Sequence, residues 1–363
     1  MKINRSTKCS LKFVNQRKQE TLALVLTEYG RVVNLFIGQF WIDCPHKNGL
    51  LKPVVDSVDS WFSARLRKVA AREAIDMILA SKRHDGDKAR KPVHKCKRMC
   101  LSSTIAELLP AKHAKSFDCW LHLQSVGNKI NLQIPVKLHK HYKSLAGRGK
   151  RLASYVITIE SVQFSFEIET GPKLAPDACR GIDTGIKALA SASDGRQYGR
   201  DIEAAIERIK RCKHGSKGQL TASRALRQRM AEVAKEVTTG ASLVVVEKLT
   251  GLAQGTKVKR RLGKKARYTI GRWNLRYWLE RLQMTCEDRN VSFRQVRAAY
   301  TSQTCPSCGH VDRGNRSGEK FRCQKCGLSG NADITAARNI LDRFLSGPYG
   351  AGCKPLPVGL NVN

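Results

Sequence analysis

The pattern of apolar and polar residues divides the chain into segments with different periodicities. In residues 21–40 and 58–80 the apolar residues recur every three or four positions, which predicts two amphipathic helices. In residues 116–170 apolar and polar residues alternate, which predicts a β-sheet or a small barrel. A strand-like segment at residues 9–14 could join that sheet. In that arrangement the helical segment is an insertion into the sheet.

The second half of the chain mixes strands and helices. It begins after a proline-containing linker at residues 172–176. The run LVVVE is apolar except for its last residue, Glu247, which is typical of a buried strand with a functional group at its carboxyl end. The predicted elements are, in order, a hairpin at 180–194, a helix pair at 201–238, a buried strand at 243–247, a helix at 273–290 and a strand at 291–300.

Four cysteines form two matched Cys-x-x-Cys pairs within the segment YTSQTCPSCGHVDRGNRSGEKFRCQKCGLSGNADITAARNI, residues 300–340. Each pair, CPSCG and CQKCG, is followed by a glycine, which lets the backbone turn around a metal without hindrance from a Cβ atom. Four thiolates at this spacing are typical of a closed tetrahedral zinc site. We therefore predict a structural zinc ribbon with the ligands Cys305, Cys308, Cys323 and Cys326.

Three acidic residues lie at junctions of the predicted elements. Asp183 lies in the apolar hairpin, Glu247 ends an apolar strand and Asp333 begins an alanine-rich helix. An acid among apolar residues is costly to bury unless it is paired or bound to a metal. We predict that the three carboxylates bind two divalent cations, Mg²⁺ or Mn²⁺, because hard cations prefer oxygen ligands. The alternative, in which each acid pairs with a lysine or arginine, stays open at this point.

The composition indicates a polyanionic partner. Lysine and arginine number 66 against 30 acidic residues, so the formal net charge is +36, and nucleic acid would neutralise it. A membrane surface is the competing anionic partner. No apolar run approaches about 18 residues and no signal-peptide pattern follows Met1, so we expect no secretion and no membrane partner. Most of the 13 cysteines are scattered singly, which is typical of reduced thiols in a cytosolic protein.

Two basic segments are candidates for phosphate contacts. Residues 81–100 are predicted to form a loop or polar arm, and residues 251–267 a flexible cationic loop. For the first segment, a merely solvated loop is the alternative. His94, Cys96 and Cys100 could suggest a second metal site, but they lack the paired spacing of a zinc knuckle. The predicted phosphate contacts are Lys82, Arg83, Lys88, Arg90, Lys91, Lys95, Lys97, Arg98, Lys257, Lys259, Arg260, Arg261, Lys264, Lys265 and Arg267.

Five segments carry a resemblance to a known family: GIDTG, VVVEKLTG, AYTSQTCPSCG, CQKCG and NADITAARNI. Together they resemble the RuvC-type nuclease half of the TnpB family of transposon-encoded, RNA-guided nucleases and of compact type V CRISPR effectors. The resemblance covers about residues 178–345. It implies that Asp183, Glu247 and Asp333 are the catalytic acids and that the four cysteines bind zinc. The family usually has asparagine where this chain has Thr335, which can still cap or hydrogen-bond, so we expect a modest effect.

The resemblance also implies a domain organisation. The expected fold class is α+β and multidomain: an N-terminal wedge β-barrel interrupted by a helical recognition domain, and then an RNase H-like (RuvC) α/β domain containing the ribbon. The expected bounds are 1–20 and 116–172 for the wedge barrel, 21–115 for the recognition domain, 173–300 and 331–346 for the nuclease domain, 301–330 for the ribbon and 347–363 for a C-terminal tail.

The function implied by the resemblance is that of an RNA-guided DNA endonuclease. Its partners would be a guide RNA and a double-stranded DNA target with a short flanking motif, and one or two protein copies would act on one RNA. Its cofactors would be Mg²⁺ or Mn²⁺ for hydrolysis and Zn²⁺ for structure. We expect it in the cytoplasm of a prokaryotic cell, at the nucleoid during action. The alternatives are a guided DNA-binding repressor, against which the three intact acids argue, and an unguided RNase H-like nuclease.

Overall fold

The computed structural model of the protein describes residues 2–249, 274–297 and 299–347. The chain divides into two compact units, Met1–Glu169 and Thr170–Asn363. Within the described residues both units combine helices with β-sheets, so the predicted α+β fold class is confirmed. The seven basic residues predicted as phosphate contacts between positions 257 and 267 lie outside the described residues, as does nearly all of the expected C-terminal tail.

The first unit contains seven strands and four α-helices in its described part. The strands are β1 (Lys2–Ser10), β2 (Arg98–Ser102), β3 (Ala106–Pro110), β4 (Cys119–Gln124), β5 (Asn131–Val136), β6 (Gly149–Thr158) and β7 (Ser161–Glu169). The helices are α1 (Gln16–Phe40), α2 (Lys52–Asp56), α3 (Ala64–Asp85) and α4 (Lys140–Arg148), and short 3₁₀ turns occur at Lys47–Gly49, Gly86–Lys88 and Val126–Asn128. The sequence did not predict α4.

The strands of the first unit form two antiparallel sheets, one of four strands in the order β1-β7-β6-β2 and one of three in the order β3-β4-β5. The expected closed barrel is therefore wrong for the described strands, because hydrogen bonding along β1–β7–β6–β2 and along β3–β4–β5 is not continuous between the two sets. The expectation that the opening strand joins the sheet is confirmed, since β1 pairs with β7 from Lys2 opposite Glu169 to Ser10 opposite Ser161.

The position of the opening strand was predicted too late in the chain. The strand covers residues 2–10 rather than 9–14, with every second side chain buried. Two of these inward positions hold the polar residues Arg5 and Thr7. Because polar residues occupy buried positions, the alternation of apolar and polar residues does not reveal the strand.

The segment at residues 81–100 is built into the unit rather than being a loop or arm throughout. Helix α3 continues to Asp85 and strand β2 begins at Arg98. Between them, the side-chain amide of Asn34 on α1 donates to the backbone oxygen of His94 (3.0 Å) and accepts from its backbone nitrogen (2.8 Å). Cys96 packs against Gly30, where a Cβ atom would lie 2.3 Å from its Sγ. The segment is thus held against α1.

His94 and Cys100 belong to a buried polar cluster around Glu73. The Glu73 carboxylate accepts a hydrogen bond from the Tyr29 hydroxyl (2.8 Å) and pairs with the guanidinium of Arg98 (2.9 Å). The His94 Nε2 atom lies 3.7 Å from the same carboxylate. Because a guanidinium already neutralises Glu73, the second metal site that His94, Cys96 and Cys100 could have suggested is not needed to explain this cluster.

Helix α1 is long and apolar enough to cross a membrane by length and composition alone. Its apolar face, which includes Leu22, Val25, Tyr29 and Phe36, is buried in the core of the first unit. The core helix of a globular domain has the same properties, and we assign α1 to that role.

The second unit is organised on a five-stranded sheet. Its described elements are β8 (Cys179–Asp183), β9 (Ala190–Ala192), β10 (Gln197–Tyr198), α5 (Ile202–Arg211), α6 (Lys217–Thr238), β11 (Leu243–Glu247), α7 (Leu275–Asp288), β12 (Ser292–Val296), a 3₁₀ turn (Arg313–Asn315), β13 (Arg316–Ser317), β14 (Lys320–Arg322), β15 (Ser329–Asn331) and α8 (Ala332–Leu345). The sheet has the order β10-β9-β8-β11-β12, in which β11 runs parallel to both β8 and β12. Strands β13, β14 and β15 form a separate small sheet.

Helices cover both faces of the five-stranded sheet. Val244 and Val246 of β11 pack into a core with residues of α5, α6 and α7, such as Met230 and Trp278. Leu243 and Val245 pack on the opposite face with residues of α8, such as Ile340. A strand that is buried on both faces needs apolar residues at every position, which explains why LVVVE shows no alternation.

Candidate active site and metal centre

Asp183 and Glu247 lie side by side at the carboxyl ends of neighbouring parallel strands. Ile182 of β8 pairs with Val246 of β11, so the two acids follow directly on paired residues. Parallel strands lie about 4.8 Å apart, which brings the two carboxylates to the same edge of the sheet. Carboxyl ends of parallel strands are the usual position of functional groups in such sheets.

Helix α8 brings Asp333 towards the same edge. The side chain of Asn331 caps the helix by accepting hydrogen bonds from the backbone nitrogens of Asp333 (3.0 Å) and Ile334 (3.1 Å). The helix packs closely on β8 at Gly181, where a Cβ atom would lie 2.2 Å from the Ala337 carbonyl oxygen. Gly181, the first glycine of GIDTG, therefore permits the approach that places Asp333 near Asp183.

The electrostatics show that Glu247 and Asp333 both act on Asp183. Burial, together with the neighbouring carboxylates of Glu247 and Asp333, raises the pKa of Asp183 to about 7, while Arg316 opposes this shift. Burial also raises the pKa of Glu247, against the hydrogen bond from Thr301 and the charges of Arg343 and Arg316. Such mutual repulsion is relieved when a cation is bound among the carboxylates.

Arg316 is a member of this site that the sequence did not single out. It lies on β13 of the ribbon, and its Nη2 atom donates to the Asp333 carboxylate at 2.6 Å. The guanidinium supplies one positive charge to a site with three acids. The three carboxylates are spaced more widely than the cysteines described below, which form the only group of three or more metal-ligating side chains within 4.8 Å of one another in the described residues.

Thr301 and Asn339 form a buried connection to Glu247 that the sequence also did not reveal. The Thr301 hydroxyl donates to the Glu247 carboxylate. The side-chain amide of Asn339 on α8 donates to the backbone oxygens of Thr301 and Thr304, both at 2.7 Å. The local signal is that Asn339 occupies a buried position of α8 among mostly apolar residues. These contacts connect the helix that carries Asp333 with the strand that carries Glu247.

The four cysteines form a compact cluster. The Sγ atoms of Cys305 and Cys326 lie 3.6 Å apart, as do those of Cys308 and Cys323. All four lie within 4.8 Å of one another. A tetrahedral zinc site with Zn–S distances of about 2.3 Å requires sulfur–sulfur distances of about 3.8 Å, so this donor set fits structural zinc.

The two cysteine pairs have the same knuckle geometry. The glycines after them, Gly309 and Gly327, have φ values of 71° and 74° and donate to the carbonyl oxygens of Cys305 and Cys323, each at 3.0 Å. The backbone nitrogens of Cys326 and Lys325 donate to the Cys323 sulfur at 3.4 Å and lower the pKa of Cys323 to about 6. These donors stabilise the thiolate that a metal requires.

Comparison with known proteins identifies the relatives of this site. Residues 277–340 match the family model of the Cas12f1-like TNB domain. The chain is 46% identical over 55 residues to a CRISPR-associated endodeoxyribonuclease, Cas12f1, of Sulfoacidibacillus thermotolerans, covering 15% of this chain and 13% of that protein. It is 35% identical over 133 residues to a TnpB-like protein of Aquifex aeolicus, covering 36% and 42%. It is 29% identical over 211 residues to the putative RNA-guided DNA endonuclease InsQ of Escherichia coli, covering 50% and 52%. The chain is thus similar to TnpB-like proteins and to a compact type V effector.

The chain spans 13%, 42% and 52% of the lengths of those three relatives. Among solved structures, the complex of CasPhi-2 (Cas12j) with crRNA and phosphorothioate-DNA matches with a TM-score of 0.50 at 11% identity, over 98% of this chain and 92% of that one. At that identity the match shows a shared fold only. The resemblance stated from the sequence is confirmed at the level of the family.

The chain departs at Thr335 from the motif of the family that it resembles, without losing the helix start. The Thr335 hydroxyl donates to the backbone oxygen of Asn331 at 2.9 Å, as expected for a hydrogen-bonding residue. The cap itself is made by Asn331.

The basic residues predicted to contact phosphate are exposed wherever the structure describes them. These are the eight residues between Lys82 and Arg98. Two of them also have intramolecular contacts: the Lys82 ammonium lies 5.4 Å from the Trp41 ring centroid, and Arg98 pairs with Glu73. Their contacts with nucleic acid stay a prediction.

Proposed function

We propose that this chain is an RNA-guided DNA endonuclease. The observation that carries the proposal is the meeting of Asp183, Glu247 and Asp333 at one edge of the five-stranded sheet, with the pKa of Asp183 raised by burial and by the other two carboxylates. The names of the relatives, which include endodeoxyribonuclease and RNA-guided DNA endonuclease, support the same activity.

In the proposed mechanism the three acids hold divalent cations and direct them to a phosphodiester. Two Mg²⁺ or Mn²⁺ ions would supply an activated water and stabilise the leaving oxygen. Asp183 and Asp333 would be the main ligands of these ions, and Glu247 would complete the site. Thr301 orients the Glu247 carboxylate by donating to it, and the Arg316 guanidinium balances the charge of Asp333. The four cysteines of the cluster would hold a structural zinc ion, which would keep the ribbon, and with it Arg316, in place.

The proposed partners are a guide RNA and a double-stranded DNA target. The protein would hold the RNA–DNA duplex by its phosphates, and the net charge of +36 suits this role. It would read only a short flanking motif of the DNA, through the first unit. One copy or two copies of the chain would act on one RNA, in the cytoplasm of a prokaryotic cell and at the nucleoid during action.

We also propose finer domain bounds than the two compact units. The second unit would be an RNase H-like nuclease domain at residues 173–300 and 331–346, into which the ribbon at 301–330 is inserted. The first would be a wedge domain at 1–20 and 116–172 that carries a recognition insertion at 21–115, and residues 347–363 would be a tail. The opening strand β1 pairs with β7 across the whole insertion, which supports this division.

The test is cleavage of DNA matched to the RNA that copurifies with the protein. We expect one discrete RNA species, cleavage of the matched DNA with Mg²⁺ and none with a chelator. Asp183→Ala, Glu247→Ala and Asp333→Ala should each abolish cleavage and leave RNA binding intact. Glu232→Ala, an exposed acid of α6, is the matched control and should cleave normally.

Two results would contradict the proposal in different ways. Matched DNA that is bound but never cut by the parent protein would indicate a guided repressor. Cutting that ignores the copurified RNA, or the absence of any discrete RNA, would indicate an unguided nuclease.

A further inference from the structure

The outer face of the sheet β3-β4-β5 carries a row of aromatic and amide side chains. Along β4 the residues Cys119, Leu121 and Leu123 point into the core, and the alternate residues point outward. The outward residues are Trp120, His122 and Gln124, and across from the last two on β5 lie Gln133 and Asn131. This row is not required by the core, because its side chains are exposed or only half-buried.

A cavity of about 480 Å³ opens at the Trp120 end of this row. Its wall is formed by Trp120 and the segment Pro110–Ala111–Lys112–His113–Ala114. The volume lies within the range of about 300–1,000 Å³ that is usual for small-ligand sites. The wall combines an indole ring and apolar groups with two side chains that can carry positive charge, and it contains no carboxylate.

The surroundings of Trp120 add to the positive charge. The Lys18 ammonium lies 4.9 Å from the centroid of the Trp120 ring, and Lys115 is exposed in the adjoining segment. The nearby acid, Asp118, already accepts from the Leu138 backbone nitrogen (2.8 Å) and pairs with Lys143 (3.3 Å). The cavity therefore presents a planar apolar surface beside uncompensated cations.

A second cavity, of about 360 Å³, lies at the other end of the same face. Its wall is rich in hydroxyl, amide and imidazole groups, including Ser103, Thr104, His122 and Gln124, and it also contains one carboxylate, that of Glu107. Trp120 and Gln124 are four residues apart on one strand, a span of about 13 Å. The two cavities are thus spaced for successive parts of one extended ligand.

We propose that this face binds an unpaired stretch of RNA, with one base packed against Trp120 and its phosphate held by Lys112 and Lys18. The partner must be both planar and anionic, which describes a nucleotide and excludes a free phosphate or an aliphatic ligand. Bases of a duplex are already stacked and cannot enter such a cavity, whereas loops and bulges of folded RNA present unstacked bases. Base stacking outweighs a cation–π contact at an exposed ring, so a base displaces the Lys18 ammonium towards the phosphate. The hydroxyl and amide groups of the second cavity suit the ribose 2′-hydroxyl.

The inference rests on the proposed function, since it names where the guide RNA is held. The experiment uses the full-length protein and measures binding of a fluorescent, unstructured RNA oligonucleotide, with the same sequence as DNA in parallel. Trp120→Ala should weaken RNA binding at least about fivefold, whereas Trp120→Phe, which keeps a stacking ring, should bind like the parent. Lys112→Glu should weaken binding and reduce its dependence on salt. Trp61→Ala is the matched control, because Trp61 is 39% exposed elsewhere in the same unit, and it should bind normally.

A photoreactive uridine in the oligonucleotide should crosslink to the peptide that contains Trp120. Unchanged RNA binding by Trp120→Ala, or an equal loss with Trp61→Ala, would overturn the site. Equal dependence of DNA binding on Trp120 would overturn the assignment to RNA. Melting temperatures of all variants identify any that fail to fold. If Trp120→Ala fails to fold, Trp120→Phe keeps the test valid. Cleavage of guide-matched DNA by the parent protein is measured separately. If cleavage is absent, the proposed endonuclease activity is contradicted, but the proposed RNA site at Trp120 is not.

Discussion

Thr301 donates its hydroxyl hydrogen to the carboxylate of Glu247, a residue 54 positions earlier in the chain. Thr301 is 2% exposed and begins the segment that leads into the zinc ribbon. Its own backbone oxygen accepts from Asn339 on α8 (2.7 Å). The ribbon, the helix of Asp333 and the strand of Glu247 therefore meet in one buried hydrogen-bonded connection.

Replacing Thr301 with valine should weaken the divalent cation site. The substitution keeps the shape of the side chain and removes the donor that orients Glu247. Loss of a group that orients a metal ligand usually costs about 10- to 100-fold in metal affinity or activity. We expect a drop of that size in Mn²⁺ affinity, measured calorimetrically on the protein alone, and in DNA cleavage.

The controls for this change are Thr301→Ser, which keeps the hydroxyl and should recover most of the affinity, and Thr304→Val. The Thr304 hydroxyl donates to the Tyr300 carbonyl and not to Glu247, so its loss should leave cation affinity unchanged. If Thr301→Val binds Mn²⁺ like the parent, Thr301 does not position Glu247.

Gly181→Ala should push α8 away from β8. The new Cβ atom would lie 2.2 Å from a backbone carbonyl of α8, and backbone cannot yield as a flexible side chain can. Overpacking of this kind costs about 1–3 kcal/mol in the free energy of unfolding. Because α8 carries Asp333, cleavage should fall more steeply than stability would explain.

Gly147→Ala is the matched glycine control. Gly147 lies in α4, and no atom lies within 4 Å of a Cβ added there. Alanine is favoured over glycine in a helix by about 0.5–1 kcal/mol, so urea unfolding should show a neutral or slightly stabilised protein. Equal stability of Gly181→Ala and the parent would contradict the close packing of α8 on β8.

Asp183 should make the cation-free protein less stable as the pH rises from about 4 to 7. Its pKa is raised from 3.8 to about 7, so in this window the folded protein keeps a proton that the unfolded chain has released. The folded state binds more protons, and the free energy of unfolding therefore decreases with pH, by at most about 4 kcal/mol for this group. Above pH 7 the loss is complete.

Urea unfolding of the parent and Asp183→Asn in a chelator tests this sign. The amide cannot ionise, so the advantage of Asp183→Asn over the parent should grow from pH 4 to 7 and then level off. Adding Mg²⁺ at pH 7.5 should stabilise the parent and leave the variant unchanged. A stability difference that does not vary with pH would show that Asp183 titrates normally.

Zinc removal should unfold the ribbon and inactivate the site through Arg316. Cys308→Ala leaves three sulfur ligands, and the binding energy of structural zinc contributes directly to folding. We expect less than one bound zinc per chain by metal analysis, loss of cleavage and a lower melting temperature for the second unit. Cys212→Ala, a half-buried cysteine outside the cluster, should keep both zinc and activity.

Several elements could be predicted because their information is local. The two cysteines of each pair lie three positions apart, and each knuckle is completed by its own glycine, so spacing alone indicates the zinc site. Helix α1 and the pair α5 and α6 also follow from periodicity within a single segment, and the strand LVVVE follows from its unbroken apolar run. The three acids stand out because each is an isolated charge beside apolar residues.

Other features could not be predicted because polar residues at buried positions hide the pattern. Arg5 and Thr7 point inward in β1, which concealed the strand, and His94 and Cys96 lie against α1 in a segment that looked like a solvated loop. The first unit has two sheets in place of the expected barrel because of how its strands pair, and this pairing joins residues far apart in the sequence.

By itself the sequence determined the family resemblance, the four-cysteine cluster and the choice of the three acids, because each of these depends on residue type and short spacing. Only the tertiary structure decided which side chains orient the acids. Thr301, Asn339 and Arg316 are ordinary polar residues in their own segments, and their roles arise from contacts with residues 17 to 54 positions away. Hydrogen bonds and ion pairs depend on distances of about 3 Å between atoms, and such distances are set by the packing of whole elements.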